Sequence, residues 1–433
     1  MTTVQENARI ALLYTQGGRI VNHRLVCDGL NLAGFVYRGP RAFYDVDFQE
    51  FGGPMKLEQR RWTTESGWQG SADLGESAQL VLLFGGTSVL AETKWLDELK
   101  RAYPKANLFG CSTAGEIAGT RVYDDTLVAT ALRLDKTRIA MARVHLDEVN
   151  RSSREAGAHV AKALDPHALK HVFVLSDGQH VNGSELVRGM LGHLPKGVQV
   201  TGGLAGDGAR FSRTLVFSDG APHEDTVSAI GFYGDNLRIG YGSLGGWDTF
   251  GPLRTVTRSE GNVLFELDGQ PALELYKKYL GEHAAGLPAT ALLFPLNIRR
   301  PDEERTLVRT ILNIDEEQQS MTFAGDVPEG SLSQLMKANF ERLIDGACDA
   351  AKTSQDTIGG TAPDLAVLIS CVGRKLVLKQ RTEEEVEGVS EVLGSGAVLT
   401  GFYSYGEICP AAPNAGCELH NQTMTITTFR EID

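Results

Sequence analysis

The sequence lacks the features that mark membrane, secreted and nucleic-acid-binding proteins. No stretch approaches the ~20 consecutive apolar residues of a membrane-spanning helix, and the N-terminus lacks the basic flank and apolar core of a secretory signal. Positive charge is in deficit, because 42 Lys and Arg stand against 55 Asp and Glu. Nucleic acids and anionic lipids attract clustered Lys and Arg, so we expect neither as a partner. We expect a cytoplasmic protein without membrane insertion.

Cysteine is also sparse. Six cysteines are spread over 433 residues, too thinly for a disulfide scaffold, and we predict reduced thiols. Cys409, Cys417 and His420 form at most a partial zinc set, since a fourth ligand and the usual spacing between cysteines are missing. A structural metal is therefore not expected.

Residues 1–54 lack lysine and show no regular apolar period. They contain five Arg and five acidic residues, so the formal charge of −13 belongs entirely to residues 55–433. We expect a poorly structured extension here and hypothesise that the natural protein begins at Met55. The alternative is a genuine extension with a docked strand at residues 10–14.

From residue 78 onward the chain shows one pattern three times. In each unit an apolar strand leads through a helical stretch to a second strand that ends in small residues and glycines. The clearest internal echo is Gly-Glu-Ile, at residues 115–117 and again at 406–408. The sequence predicts a mixed α/β fold of two related domains, with mixed sheets flanked by helices and built from repeated β-α-β units with Gly-rich loops.

The glycine-rich stretch at residues 245–252 is the predicted domain boundary. It separates an N-terminal domain, residues 55–245, from a C-terminal domain, residues 246–433. In the second domain we predict a buried strand at residues 291–294, a helix at 331–349 and an acidic helix at 382–393.

The loop motifs carry a resemblance to a known family. Residues 110–117, Gly-Cys-Ser-Thr-Ala-Gly-Glu-Ile, and residues 202–208, Gly-Gly-Leu-Ala-Gly-Asp-Gly, are similar to N-domain signatures of the FIST family. Residues 370–374, Ser-Cys-Val-Gly-Arg, and residues 403–408, Tyr-Ser-Tyr-Gly-Glu-Ile, resemble its C-domain motifs in the same order. The chain thus resembles a tandem of FIST N-terminal and C-terminal domains.

The resemblance implies a role in bacterial sensory signal transduction. A small ligand would be bound, and the signal would pass to a separate histidine kinase of a two-component system or to a cyclic-dinucleotide enzyme. Similar proteins include nitric oxide sensors that carry haem b, and this is the sharper alternative. We expect a binding protein and not an enzyme.

Candidate binding residues lie in the loops that follow the strands. Glycines there let backbone N–H groups approach a ligand, and open α/β sheets bind ligands beyond the carboxyl ends of their strands. Glu116 and Glu407 could hold a cationic group or merely cap N–H groups. Arg374 suits a carboxylate and, like Glu407, is expected to be only partly buried. Tyr403 and Tyr405 could wall a pocket or belong to the core. The predicted ligand-binding set is Cys111, Ser112, Thr113, Glu116, Gly203, Asp207, Cys371, Arg374, Tyr403, Tyr405 and Glu407.

Two further hypotheses are a haem iron site and a catalytic site. Haem iron takes an axial histidine, and the weak candidates are His180, His193, His283 and His420. A hydrolase acting through Ser112 or Cys371 is the alternative of another class, but the sequence identifies no His or Asp partner for either residue.

Overall fold

The computed structural model describes residues 55–301, 303–412 and 415–432. The predicted extension at residues 1–54 lies outside the described residues, and the start at Met55 stays a hypothesis. The mixed α/β class is confirmed, with mixed sheets, flanking helices and repeated β-α-β units. Among the described residues, no helix has both the length and the apolar character needed to cross a membrane.

The first repeat covers residues 56–133. Its elements are β1 (Lys56–Thr63), β2 (Gly67–Gln69), β3 (Leu80–Gly86), α1 (Thr87–Ala91), α2 (Lys94–Ala102), β4 (Asn107–Thr113), β5 (Glu116–Ala118), β6 (Arg121–Tyr123) and β7 (Leu127–Arg133).

The second repeat covers residues 138–233. Its elements are β8 (Arg138–His145), α3 (Ser153–Ala163), β9 (Leu169–Ser176), α4 (Gly183–Leu191), β10 (Gln199–Leu204), β11 (Val216–Ser218) and β12 (Thr226–Tyr233).

The third repeat begins at β13 (Leu237–Leu244) and is interrupted by a β-rich insertion, residues 248–337. The insertion contains β14 (Asp248–Glu260), β15 (Val263–Leu267), β16 (Gln270–Pro271), α5 (Ala272–Leu280), β17 (Leu296–Arg299), β18 (Leu307–Arg309), β19 (Ile311–Asp315), β20 (Ser320–Phe323) and β21 (Leu332–Lys337). The repeat then continues with α6 (Phe340–Thr357), β22 (Leu365–Cys371), α7 (Val372–Leu378), α8 (Thr382–Leu393), β23 (Val398–Ser404), β24 (Gly406–Pro410), β25 (Cys417–His420) and β26 (Met424–Glu431).

Each repeat contributes four strands, in equivalent arrangement, to a six-stranded sheet. In the first repeat the central strand β3 pairs in parallel with β4 and antiparallel with β7, the last strand of the repeat. The other edge of β7 pairs antiparallel with β1, the first strand. The second and third repeats have this pairing too. The central strands β3, β9 and β22 read as continuous apolar runs because both faces of each are covered.

The repeats exchange short strands in a cycle. β5 leaves the first repeat and pairs with β23 of the third, and β24 leaves the third and pairs with β10 of the second. β11 leaves the second repeat and pairs with β4 of the first. Each sheet is therefore completed by a strand from another repeat.

The strand that follows the helix in each repeat, β4, β10 or β23, has a glycine at an equivalent position, which allows it to approach the central strand closely. A Cβ added to any of the three would lie 1.8 Å from a backbone carbonyl oxygen, where no side chain fits. The pairs of glycine and carbonyl are Gly110 with Leu83, Gly202 with Val174, and Gly401 with Leu368.

The sheets share an inner core to which all three repeats contribute. Alternate residues of β3, Leu80, Leu82 and Phe84, belong to this core, while Val81 and Leu83 belong to a second cluster that includes residues of α2. Aromatic rings join repeats across the centre: Phe84 and Phe402 have centroids 4.8 Å apart. β4 and β23 contribute Phe109 and Phe402 to this core, and Ala205, in the loop after β10, belongs to it as well.

The insertion forms an eight-stranded sheet of its own and corrects two predictions. The strand predicted at residues 291–294 is wrong, because Ala289–Leu293 is a 3-10 helix. The helix predicted at residues 331–349 starts only at Phe340, after β21, whose alternating burial is that of a half-buried strand. The acidic helix at residues 382–393 is confirmed as α8.

Candidate functional site

The three Gly-rich loops meet at one junction. Ala114 N–H donates to Tyr403 O at 2.8 Å, and Tyr403 N–H donates back to Gly115 O at 2.8 Å, which ties the first repeat to the third. Gly206 N–H donates to Ser112 O at 2.9 Å, and Tyr405 N–H donates to Leu204 O at 3.2 Å. The junction therefore links every repeat to both others through main-chain hydrogen bonds.

Glu116 is fully buried beside this junction. Its Oε2 accepts the N–H and the hydroxyl of Thr126 at 3.0 and 2.9 Å, and its Oε1 meets the Thr113 hydroxyl. Burial raises the pKa of Glu116 to about 7 although these hydrogen bonds act in the opposite direction. The carboxyl group thus titrates near neutral pH.

Glu407 repeats this arrangement in the third repeat. Its Oε2 accepts the N–H and the hydroxyl of Thr423 at 3.3 and 3.0 Å, and its Oε1 lies 2.6 Å from the Ser404 hydroxyl. Burial raises the pKa of Glu407 to about 8, again against its hydrogen bonds. The two Gly-Glu-Ile segments are therefore equivalent in contacts and in electrostatics as well as in sequence.

The second repeat has no glutamate at this place; Gly208 follows Asp207 instead. Burial alone would raise the pKa of Asp207, but hydrogen bonds from Arg210 and Ser212 outweigh it, and the pKa lies below its usual value. Asp207 is thus held as a carboxylate, unlike the two glutamates.

Arg374 lies at the centre of a buried ionic network. Its Nη2 donates to Glu385 Oε2 and to Leu343 O, both at 2.7 Å, and its Nη1 donates to Gly245 O. Glu385 Oε1 in turn accepts the Tyr403 hydroxyl at 2.7 Å. The expectation of partial burial is wrong for Arg374 and Glu407, because both are 0% exposed. Arg374 lies in α7 and Glu407 in β24, and the groups packed around both side chains leave neither in contact with solvent.

The remaining predicted residues are equally enclosed. The Ser112 hydroxyl donates to Gly206 O and accepts Leu215 N–H, both at 2.8 Å, so its two hydrogen bonds go to the main chain. Burial raises the pKa of the Cys111 and Cys371 thiols, which opposes the thiolate that a nucleophile needs. Tyr405 stacks on Phe211, with centroids 4.5 Å apart. A Cβ on Gly203 would lie 2.9 Å from the Ile369 side chain.

The four histidines considered for haem lie in separate elements. His420 is buried in β25, where its Nε2 meets Cys409 O at 3.0 Å and burial lowers its pKa to about 4. His193 follows α4 and contacts Gly189 O at 3.0 Å. His283 lies in a 3-10 turn of the insertion, 5.2 Å from the Phe294 ring centroid.

His180 belongs to a cluster with Asp177 and Asp225, the donor types that metals use. Protein donors already occupy these groups. Asp177 accepts four hydrogen bonds, including the N–H groups of Gln179 and His180, and Arg151 makes two hydrogen bonds to Asp225. The cluster is explained as an ion-paired turn.

Three cavities lie elsewhere, with volumes of about 190, 390 and 120 Å³. None of them is lined by a predicted ligand-binding residue or by any of the four histidines considered for haem. Sequence reasoning also missed Glu385, Thr126 and Thr423. A signal for the threonines existed, because a threonine stands at the start of the last strand of all three repeats.

The chain is similar to known protein families and proteins. The FIST N domain matches residues 79–270 and the FIST C domain matches residues 272–410. The uncharacterized protein MJ1623 of Methanocaldococcus jannaschii is 24% identical over 352 residues, which cover 75% of this chain and 65% of that protein. Cyanuric acid hydrolase from A. caulinodans aligns with 88% of this chain and 99% of its own at 9% identity, but a TM-score of 0.35 supports no argument. This chain belongs to the FIST family, whose domains are associated with sensory signalling, and carries its N and C domains in tandem.

Proposed function

We propose that this chain binds a small ligand and relays its presence to a separate signalling protein, such as a histidine kinase or a cyclic-dinucleotide enzyme. Family membership supports the sensory role. The division into domains at residues 245–246 is part of the same proposal.

The observation that carries the proposal is the cyclic exchange of strands at the loop junction. Because each sheet is completed by a strand from another repeat, a shift of one repeat must strain hydrogen bonds in the other two. Coupling of this kind needs an element with two arrangements, and the ligand must bind one of them more tightly. The exchanged strands are the elements that we expect to move.

Relay is tested with the histidine kinase or cyclase encoded beside this gene. Metabolites that raise the melting temperature of the purified chain identify ligands, since a ligand of the folded state stabilises it by mass action. We expect the chain to change kinase autophosphorylation, and the ligand to alter that effect. If no neighbouring kinase or cyclase responds to the chain in either ligand state, the proposed relay is wrong.

A matched pair of serine variants separates relay from binding. Ser112→Ala removes the hydroxyl that joins Gly206 O to Leu215 N–H and should weaken the effect of the ligand on the partner. Ser77→Ala removes an exposed hydroxyl that bonds within its own turn and should leave the effect unchanged. Equal relay in both variants would exclude the junction from the coupling path.

The two alternatives have their own measurements. A Soret band in the absorption spectrum of the isolated protein would establish the haem-based nitric oxide sensor. Hydrolysis of an ester probe that Ser112→Ala or Cys371→Ala abolishes would establish the enzyme.

A further inference from the structure

A small polar cavity lies where the insertion meets the repeats. It has a volume of about 120 Å³ and is bordered by α4, β18 and β25. A water molecule occupies about 30 Å³ in the liquid, so the cavity has room for about four waters or for one four-oxygen anion. Its polar lining includes Ser184, Arg188, Arg300, Arg309 and Glu418.

Arg309 is a buried cation whose hydrogen bonds go to neutral groups. It is 1% exposed, and its Nε donates to Asp326 O at 3.0 Å while its Nη1 donates to the carbonyls of Val308 and Leu419. Burial, with a further contribution from nearby Arg300, lowers its pKa to about 10, so the group stays charged at neutral pH. The carboxylates of Glu418 and Asp326 lie near enough to act in the opposite direction on this pKa, but neither contacts the guanidinium directly. A buried charge without a direct ionic partner is costly, and an anion in the cavity would supply one.

The other arginines of the cavity are already paired. Arg188 lies 2.7 Å from Asp326 Oδ2 and also contacts Glu185, and Arg300 lies 3.1 Å from Glu418 Oε1. Arg305 binds the same Glu418 oxygen at 2.5 Å. Three arginines and one glutamate therefore line the cavity, and of these arginines Arg309 makes no direct carboxylate contact. Among the residues that the structure describes, the second oxygen of Glu418, Oε2, has no hydrogen-bond partner.

Ser184 supplies a second, independent sign of a ligand. It is 8% exposed, and its hydroxyl has no hydrogen-bond partner. A Cβ added to Gly325 would lie 3.1 Å from the Ser184 hydroxyl and 3.2 Å from the guanidinium carbon of Arg309. The unpartnered hydroxyl and the Arg309 guanidinium thus lie close together beside a glycine that leaves no room for a side chain, and both residues line the cavity.

We propose that this cavity binds a small oxyanion, the carboxylate or phosphate group of a metabolite, between the Arg309 guanidinium and the Ser184 hydroxyl. The inference rests on the proposed function, because it names the chemistry of the ligand that the sensor takes. Since the site joins the insertion to α4 and β25, an anion there would tie the insertion to the second and third repeats.

Isothermal titration with inorganic phosphate and with acetate tests the proposal on the full chain. Ionic strength is held constant with sodium chloride, because phosphate stabilises most folded proteins without binding a site. We expect saturable binding of at least one anion with one site per chain. Binding of phosphate alone identifies a phosphoryl ligand, and binding of acetate alone identifies a carboxylate.

Variants assign the binding to this cavity. Ser184→Ala removes one hydrogen bond to a charged ligand and should weaken binding about tenfold, while Ser77→Ala should bind as the parent does. Arg309→Lys keeps the charge but loses the planar fork and should weaken binding at least as much. If Arg309→Lys does not fold, the comparison of Ser184→Ala with Ser77→Ala still decides.

Two results would overturn the inference. One is the absence of saturable binding of either anion to the parent protein at ~10 mM, where even a weak specific site would be filled. The other is equal affinity in Ser184→Ala and in the parent. If these occur while a different metabolite still alters the partner kinase, the sensor function stands and only the anion site is wrong.

Discussion

The first and third repeats differ from the second in how they hold a carboxylate. Glu116 and Glu407 are buried among hydroxyl and N–H donors, with pKa values raised to about 7 and about 8. The second repeat buries two aspartates instead. Asp177, one strand earlier, accepts four hydrogen bonds, and Asp207 has a pKa below its usual value because the effect of burial is outweighed by hydrogen bonds from Arg210 and Ser212. The three repeats thus share the backbone arrangement but differ in the kind and position of the buried carboxyl group.

This difference shows that the backbone fold of the repeat does not depend on which carboxyl group the repeat buries. Glycines with equivalent contacts and equivalent strand pairing recur three times, because the close approach of two backbones leaves no freedom. The buried glutamate recurs twice, at loops whose following strands cross to another repeat. Loss of the proton from Glu116 or Glu407 would place a buried negative charge where a strand of one repeat pairs with the sheet of another.

Substitution of the equivalent glycines is the strongest test of the shared skeleton. Gly110→Ala, Gly202→Ala and Gly401→Ala each place a Cβ 1.8 Å from a backbone oxygen that cannot move away. We expect each to cost ~4 kcal/mol or more in unfolding free energy, measured by urea denaturation. Gly396→Ala is the control, since its Cβ would meet open space. Tolerance of Gly202→Ala alone would break the equivalence of the second repeat.

Removal of Arg374 should have the next largest effect. Arg374→Met leaves Glu385 buried and without its counter-ion, which should cost about 3–5 kcal/mol in unfolding free energy. Arg133→Met is the control, because Arg133 and Asp135 form an exposed pair at 2.8 Å and such pairs contribute about 0–1 kcal/mol. Similar costs for the two variants would show that the buried network of the third repeat is not a structural element.

The glutamates should make stability fall as pH rises. Their folded pKa values of about 7 and about 8 exceed the unfolded value of ~4.3, so between these limits the folded state binds more protons. The stability that the neutral carboxyls contribute is complete below pH ~4.3 and is lost as pH rises through 7 and 8. We expect Glu116→Gln and Glu407→Gln, which mimic the neutral acid, to lack this loss.

Urea denaturation at pH 5.5 and at pH 8.5 measures the difference. Relative to the parent protein, each glutamine variant should gain on the order of 2–4 kcal/mol between the two pH values. Glu383→Gln is the control, because Glu383 is partly exposed and pairs with Arg121. A pH dependence that survives in both glutamine variants would contradict the proposed burial of a neutral carboxyl.

Local apolar pattern predicted the repeated part of the fold well. The central strands and the acidic helix α8 follow from local apolar runs, and the equivalence of the two Gly-Glu-Ile segments follows from their shared motif. The exchange of strands did not follow, because β5 and β11 are three residues long and pair with residues 105 to 286 positions away. Strands that short carry no period of their own.

The sequence pointed to residues around the strand ends but not to their environment, and their role in binding stays a prediction. Glu116, Glu407 and Arg374 were predicted as site residues because each follows a predicted strand. Their complete burial depends on which sheets cover the loops, and the sequence does not show this. Arg309 and Ser184 carry no motif, since a lone arginine in a strand and a serine in a helix are ordinary surface residues in sequence. Their proximity is a property of the insertion docking on α4.

The smallest expected effects belong to the threonine that begins or precedes the last strand of each repeat. The hydroxyls of Thr126 and Thr423 donate to Glu116 and Glu407, whereas the Thr226 hydroxyl donates to Glu224 O at 2.9 Å. Thr226 therefore has the same place and a different partner.

Thr126→Val and Thr423→Val should cost about 1 kcal/mol at pH 5.5 and about 2–3 kcal/mol at pH 8.5, because a hydrogen bond to an ionised carboxylate is the stronger one. Thr226→Val should cost about 1 kcal/mol at both pH values, since a carbonyl acceptor does not titrate. Urea denaturation of the three variants at both pH values measures this. The contrast fails if the cost of Thr226→Val rises with pH as the others do, or if none of the three costs rises.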